Sequence, residues 1–146
     1  MTSHPPHILV VDDELSMREL LEVIMLKQGY HVSCAENGNE ALRLLKDVSF
    51  DLLLCDIKLG DLSGIDVLKA AKKKNPDTVV IMVSAFATTE NAVEAMNEGA
   101  YDYLPKPFDN EELKQTHAQA LNLKTIDHEK EILRDELKQT VFFGKI

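Results

Sequence analysis

The stretch Phe50-Asp51-Leu52-Leu53-Leu54-Cys55-Asp56 is a short apolar run that stops abruptly on a carboxylate, and a loop containing Gly60 and Gly64 follows it. An apolar run of this length between polar residues marks a parallel-sheet strand covered on both faces. The segment therefore predicts a buried strand that delivers Asp56 to its carboxyl end.

Upstream, His7 to Val11 is apolar and β-branched and ends on Asp12-Asp13-Glu14. Leu15, Met17, Leu20, Leu21, Ile24 and Met25 then recur at helical spacing until Gly29. Tyr30 to Ala35 predicts a second strand, and Asn37-Gly38 leads into a helix over Glu40 to Lys46 whose Ala41, Leu42, Leu44 and Leu45 form an apolar face. Downstream, Ile65, Val67, Leu68 and Ala71 make a helix that ends at Asn75-Pro76, because proline disfavours helical backbone in the residue before it. Thr78 to Val83 is a fourth strand ending on Ser84, and Thr88 to Glu98 is a helix closed by Gly99. Tyr101 to Leu104 is a fifth strand before Pro105-Lys106-Pro107, after which Asp109 or Asn110 caps a last helix from Glu111.

Strands alternating with helices in this way predict an α/β domain, a doubly wound five-stranded parallel sheet with right-handed crossovers. Ligands of such sheets bind beyond the carboxyl ends of the strands, at a topological switch point. Strand one brings Asp12 and Asp13 there, strand three Asp56, strand four Ser84 and strand five Lys106. Strand two delivers nothing obvious, and the order 2-1-3-4-5 places it at an edge.

The chain of 146 residues has 45% hydrophobic content, enough for one domain with a single core and a modest appendage. Its 16 basic and 25 acidic residues leave a formal charge of −9. No Lys/Arg stripe forms, so this segment is not expected to contact nucleic acid, and proteins or cations are the expected partners. The apolar runs fall far short of the roughly 18 residues of a membrane span. Residues 1–6 form a polar leader without the features of a signal peptide, so no membrane contact and a cytoplasmic location are expected. Cys34 and Cys55 lie inside strand-like segments with no metal-ligand spacing and read as buried thiols.

Carboxylates converging on one rim repel by about 4 kcal/mol per pair at about 4 Å and an effective dielectric of about 20. Carboxylate oxygens without His or Cys suit a hard ion, and Mg²⁺ takes one or two carboxylates, keeps waters and bridges to phosphate. Asp13 and Asp56 are the expected direct ligands, with Asp12 acting through a water and the Lys58 backbone carbonyl adding an oxygen. Taken alone, Asp12-Asp13 after a strand reads as a helix N-cap; convergence with Asp56 favours the cation. Lys106 can pair with a carboxylate at rest and with a phosphoryl oxygen afterwards, and Ser84 can donate to another. Singly, these two read as a surface lysine and a loop hydroxyl. Together they supply the positioning and neutralisation that phosphoryl transfer asks of a protein, with Asp56 as the nucleophile.

Ile8-Leu9-Val10-Val11-Asp12-Asp13, Leu54-Cys55-Asp56, Val83-Ser84-Ala85 and Lys106-Pro107-Phe108, in this order and spacing, resemble the receiver domain of two-component response regulators. The resemblance covers residues 7–123. It implies a flavodoxin-like fold, a sensor histidine kinase as phosphoryl donor, and a cis Lys106-Pro107 bond. It also implies an aromatic switch at Tyr103 that turns inward as Ser84 moves towards the phosphoryl group. In this reading the domain is not an enzyme on external substrate, but a phosphoacceptor that assists its own phosphorylation and dephosphorylation. Gly60 stands where the family often has proline, which bears on loop rigidity. Lys58 and Phe86, two residues past Asp56 and Ser84, flank the expected path of an attacking water.

Helix-favouring residues continue from Glu111 to about Gln139, about 29 residues or roughly 43 Å of helix. Leu123, Ile126, Lys130, Leu133 and Leu137 give a short, imperfect coiled-coil seam, so residues 124–140 are expected to be a helical linker that contributes to a homodimer together with the helix 4, strand 5, helix 5 face. Val141-Phe142-Phe143-Gly144-Lys145-Ile146 resembles the junction to a central ATPase domain in nitrogen-regulator type activators. This implies that residues 141–146 begin a truncated following domain and that downstream ATPase and DNA-binding domains complete a transcriptional activator. Two rivals are weaker: a Mg²⁺-dependent phosphohydrolase lacks an Asp-x-Asp nucleophile motif, and a flavin or nucleotide carrier lacks the glycine-rich phosphate loops.

Overall fold

A computed structural model describes residues 5–85, 88–119 and 121. The elements are β1 His7–Val11, α1 Leu15–Lys27, β2 His31–Ala35, α2 Gly38–Asp47, β3 Leu52–Cys55, α3 Gly64–Lys74, β4 Val79–Ser84, α4 Thr89–Asn97 and β5 Asp102–Pro105. A last helix, α5, is described over residues 110–119. The leader is described only from residue 5; Phe86, Leu123, the linker 124–140 and the segment 141–146 lie outside the described residues.

The strands form one parallel sheet in the order β2-β1-β3-β4-β5. β1 and β3 are central and buried on both faces, which is why they read as unbroken apolar runs. Alternation sorts their side chains. Ile8, Val10, Leu52 and Leu54 pack with Leu21, Ile24 and Met25 of α1 and Leu113 of α5. Leu9, Val11, Leu53 and Cys55 pack with Ala41 and Leu45 of α2, Val67, Leu68 and Ala71 of α3, and Ala95 of α4. Helices thus cover both faces.

Local chemistry sets the helix ends. Asn37 accepts from the Glu40 amide, Thr88 from the Asn91 amide, and Ser63 with Asp66 forms a capping box at α3. Asp109, rather than Asn110, caps α5, accepting from the Glu111 amide at 2.9 Å. Gly99, with φ +104°, follows the end of α4. β3 is shorter than the apolar run suggests: Phe50 and Asp51 precede the ladder, and Asp56 stands one residue beyond it.

Among the described residues no helix is long and apolar enough to cross a membrane.

Candidate functional site

The carboxyl ends of β1, β3 and β5 each hand one charged residue to the same rim. The backbone ladder continues one residue past each strand, with the Asp12 amide donating to the Ala35 carbonyl at 3.2 Å, the Asp56 amide to Val11 at 3.0 Å and the Lys106 amide to Ser84 at 2.9 Å. These bonds pin the three residues before any side chain acts. The Lys106-Pro107 bond is cis, as the resemblance implies.

Lys106 Nζ donates to Asp12 Oδ2 at 2.8 Å and to Asp56 Oδ2 at 3.0 Å. Asp12 and Asp56 are buried and Asp13 is exposed, and carboxylate oxygens of all three lie within 4.8 Å of one another. The other oxygens of the two buried acids take backbone amides: Asp12 Oδ1 accepts from Glu14 at 2.9 Å and Asp56 Oδ1 from Lys58 at 3.2 Å. Asp12 therefore serves the loop before α1 from the strand end, while Glu14, at the N-cap position, makes no side-chain cap.

The electrostatics share one direction. Burial pushes the Asp12 carboxyl up, against the Lys106 ammonium and the Glu14 amide, and the Asp56 charge adds to the push. Burial works against the Lys106 charge, yet its bonds to Asp12 and Asp56 leave it raised. Burial first, then the charges of Asp56 and Asp12, push the Cys55 thiol well up. One ammonium against three acids leaves an excess of negative charge, and an all-oxygen set of this kind fits a hard divalent cation such as Mg²⁺.

Ser84 is fully buried at the end of β4, and Tyr103 lies on β5 opposite Met82. The Tyr103 ring packs against the α2/α3/α4 side of the core, and among the described residues its buried hydroxyl makes no hydrogen bond of proper geometry. Burial pushes this phenol up; the Ser84 hydroxyl stands near enough to oppose the shift, and the Asp56 charge adds to it. Lys58 carries an exposed side chain, and its backbone forms an isolated antiparallel bridge with Ser63.

Sequence reasoning passed over three residues. Arg18, on α1, reaches back to donate to the Asp12 carbonyl at 2.8 Å and stands 4.0 Å from Glu36, so the edge strand β2 does send a charge towards the rim. Gly64 was legible only as a loop glycine, yet a Cβ there would run into the Asp56 carbonyl. Asp61 bonds to α2, more than twenty residues back in the chain, and nothing local announces it.

A family model described as "Response regulator receiver domain" matches residues 8–118. The transcriptional regulatory protein ZraR of Klebsiella oxytoca is 40% identical over 121 residues, which is 83% of this chain and 27% of that protein, so the chain spans about a quarter of this curated relative. A response regulator receiver domain protein (CheY-like) from Methanospirillum hungatei JF-1 superposes with TM-score 0.82 at 32% identity, covering 84% of this chain and 98% of that one. The beryllofluoride-activated NtrC4 receiver domain dimer superposes with TM-score 0.76 at 33% identity, covering 81% and 98%.

Proposed function

The chain belongs to the response regulator receiver domain family, and on that premise we propose that it is a switch set by transfer of a phosphoryl group from a sensor histidine kinase to Asp56. The observation that carries this reading is Lys106 Nζ held between Asp12 and Asp56, with the oxygens of Asp12, Asp13 and Asp56 within 4.8 Å of one another.

An Asp56 carboxylate oxygen bonds to phosphorus as the P–N bond of the donor's phosphoimidazole breaks, and the imidazole departs with the electron pair. Asp13, Asp56 and the Lys58 carbonyl would hold Mg²⁺ directly, and Asp12 would hold it through a water. When bound, Mg²⁺ neutralises charge on the phosphoryl oxygens and helps align them. Lys106 exchanges its contact with Asp56 for a phosphoryl oxygen, and Ser84 donates to another. Movement of Ser84 towards the phosphoryl group holds Tyr103 in the inward position it already occupies, and the face formed by α4, β5 and α5 changes shape. Lys58 and Phe86 tune the loss of the phosphoryl group to water.

A homodimer through that face and the C-terminal helix is the proposed readout, acting on downstream ATPase and DNA-binding domains of a cytoplasmic transcription regulator. Val93 and Met96 support it, leaving apolar surface on α4 at 52% and 47% exposure. The NtrC4 receiver similar to this chain is a dimer when beryllofluoride-activated. The test is intact mass after acetyl phosphate and Mg²⁺. One phosphoryl adduct is expected, absent without Mg²⁺ and in Asp56→Asn; an adduct that persists in Asp56→Asn sinks the assignment.

A further inference from the structure

The loop from Asp56 to Gly64 closes on itself and then reaches sideways. Inside it, the Lys58 amide donates to Asp56 Oδ1, Lys58 bridges Ser63, and the Gly64 amide donates to the Ile57 carbonyl at 2.6 Å. At its tip, Asp61 Oδ1 accepts from the Gly38 amide at 2.9 Å and from Leu62 at 2.7 Å, while Oδ2 accepts from the Asn39 amide at 2.9 Å.

Gly38 and Asn39 are the first two residues of α2, whose own cap Asn37 serves Glu40 instead. Two donors that a helix N-terminus leaves unpaired are thus satisfied by a carboxylate from another loop, on the side of the helix dipole that favours negative charge. Those amides, Asn39 first, hold the Asp61 carboxyl below its usual range, so the contact stays charged through neutral pH. The tip is also seated closely, since a Cβ on Gly38 would stand 2.7 Å from Leu62 Cβ. Gly60 turns the chain into this tip at φ +89°, a backbone that proline, fixed near −65°, does not adopt. The loop is therefore held by a contact with α2 and not by a stiff residue of its own.

We infer that Asp61 is the positioning residue of the phosphoacceptor loop, latching its tip to the N-terminus of α2 and so setting where the Lys58 backbone stands against Asp56. The functional half of this inference rests on the phosphoacceptor reading; the latch rests on the geometry alone. Freed from α2, a loop with a glycine in the left-handed region samples more backbone states. The Lys58 amide and carbonyl then lose a fixed relation to the acid they serve.

The experiment uses the whole chain with Asp61→Ala, Asp61→Asn and Gly38→Ala, the last disturbing the same contact from the helix side. Three readouts are taken: amide exchange at Gly38 and Asn39, Mg²⁺ affinity followed by amide shifts, and phosphoryl uptake from acetyl phosphate. In Asp61→Ala both amides exchange faster and Mg²⁺ affinity falls about tenfold, the scale of lost ligand-orienting contacts. Asp61→Asn keeps one carbonyl oxygen and recovers part of both, and Gly38→Ala follows Asp61→Ala. Unchanged exchange at Gly38 and Asn39, or faster exchange with wild-type Mg²⁺ affinity, overturns the inference. Wild-type protein that binds Mg²⁺ but takes no phosphoryl group overturns the phosphoacceptor reading instead, while exchange and Mg²⁺ affinity still judge the latch.

Discussion

Lys106 and Asp12 stand 94 residues apart in the chain, yet Nζ of one lies 2.8 Å from Oδ2 of the other. The lysine side chain is 11% exposed and that of Asp12 1%, so neither partner can exchange the other for bulk water. Removing one side of a buried pair leaves an uncompensated charge. Lys106→Met is expected to cost about 2–3 kcal/mol at neutral pH, somewhat less than for a fully buried pair. Because burial already pushes the Asp12 carboxyl up, protonation on acidification should recover part of that loss. Urea melts at neutral and mildly acidic pH check this; an equal loss at both would place the cost in packing.

Asp13 is exposed and close to two buried acids, so its charge is expected to cost stability without a cation and to contribute to binding one. If the proposed site binds Mg²⁺, the ion at about tenfold its dissociation constant should add about 1.4 kcal/mol to folding, a rise of roughly 3–6 °C in the melting midpoint for a domain of this size. In Asp13→Asn the metal-free protein should melt higher and the Mg²⁺ increment should largely vanish. A full increment in the variant would exclude Asp13 from the metal site.

The strands and their rim were legible because each strand is an apolar run that stops on a polar residue, and the flavodoxin-like order 2-1-3-4-5 is consistent with where those residues meet. Asp12, Asp56, Ser84 and Lys106 needed no contact to be seen, only a common edge. Arg18, Asp61 and His117 are different. Each is a polar residue whose partner lies on another element, Tyr30 being 87 residues from His117, and no local spacing encodes such a pair. Asp61 looks like any loop aspartate until the Gly38 and Asn39 amides are placed beside it.

Two glycines of the same loop separate steric from conformational demands. A Cβ at Gly64 meets the Asp56 backbone, whereas at Gly60 it meets nothing within 4 Å, and only the φ of +89° resists it. Gly64→Ala is therefore expected to cost about 3 kcal/mol or more, because the backbone of Asp56 must shift. Gly60→Ala should cost about 1–2 kcal/mol, the ordinary penalty of the left-handed region. Thermal melts rank the two, and the reverse ranking would contradict this packing.

Among the described residues, the buried Tyr103 hydroxyl has no properly formed hydrogen bond. Such a group carries its desolvation cost uncompensated, so Tyr103→Phe should leave stability unchanged or raise it by up to about 1 kcal/mol. A loss of about 1 kcal/mol in denaturant melts would show that the hydroxyl is bonded, with Ser84 a candidate.

His117 on α5 is fully buried; its Nδ1 lies 3.4 Å from the Tyr30 hydroxyl, and its Nε2 has no partner among the described residues. Burial, with a smaller push from the Lys114 charge, lowers its pKa from 6.5 to about 4. The folded state therefore binds this proton more weakly than the unfolded chain. The neutral-imidazole contribution is fully present above pH 6.5, is lost as pH falls from 6.5 towards 4, and changes no further below that. At about 1.4 kcal/mol per pKa unit the loss across this window amounts to about 3 kcal/mol. His117→Gln keeps a polar side chain that does not titrate, so its stability should fall less than that of the wild type over the same window. Denaturant melts at several pH values between 7 and 4 decide the matter, and parallel curves for the two proteins would show that His117 titrates alike folded and unfolded.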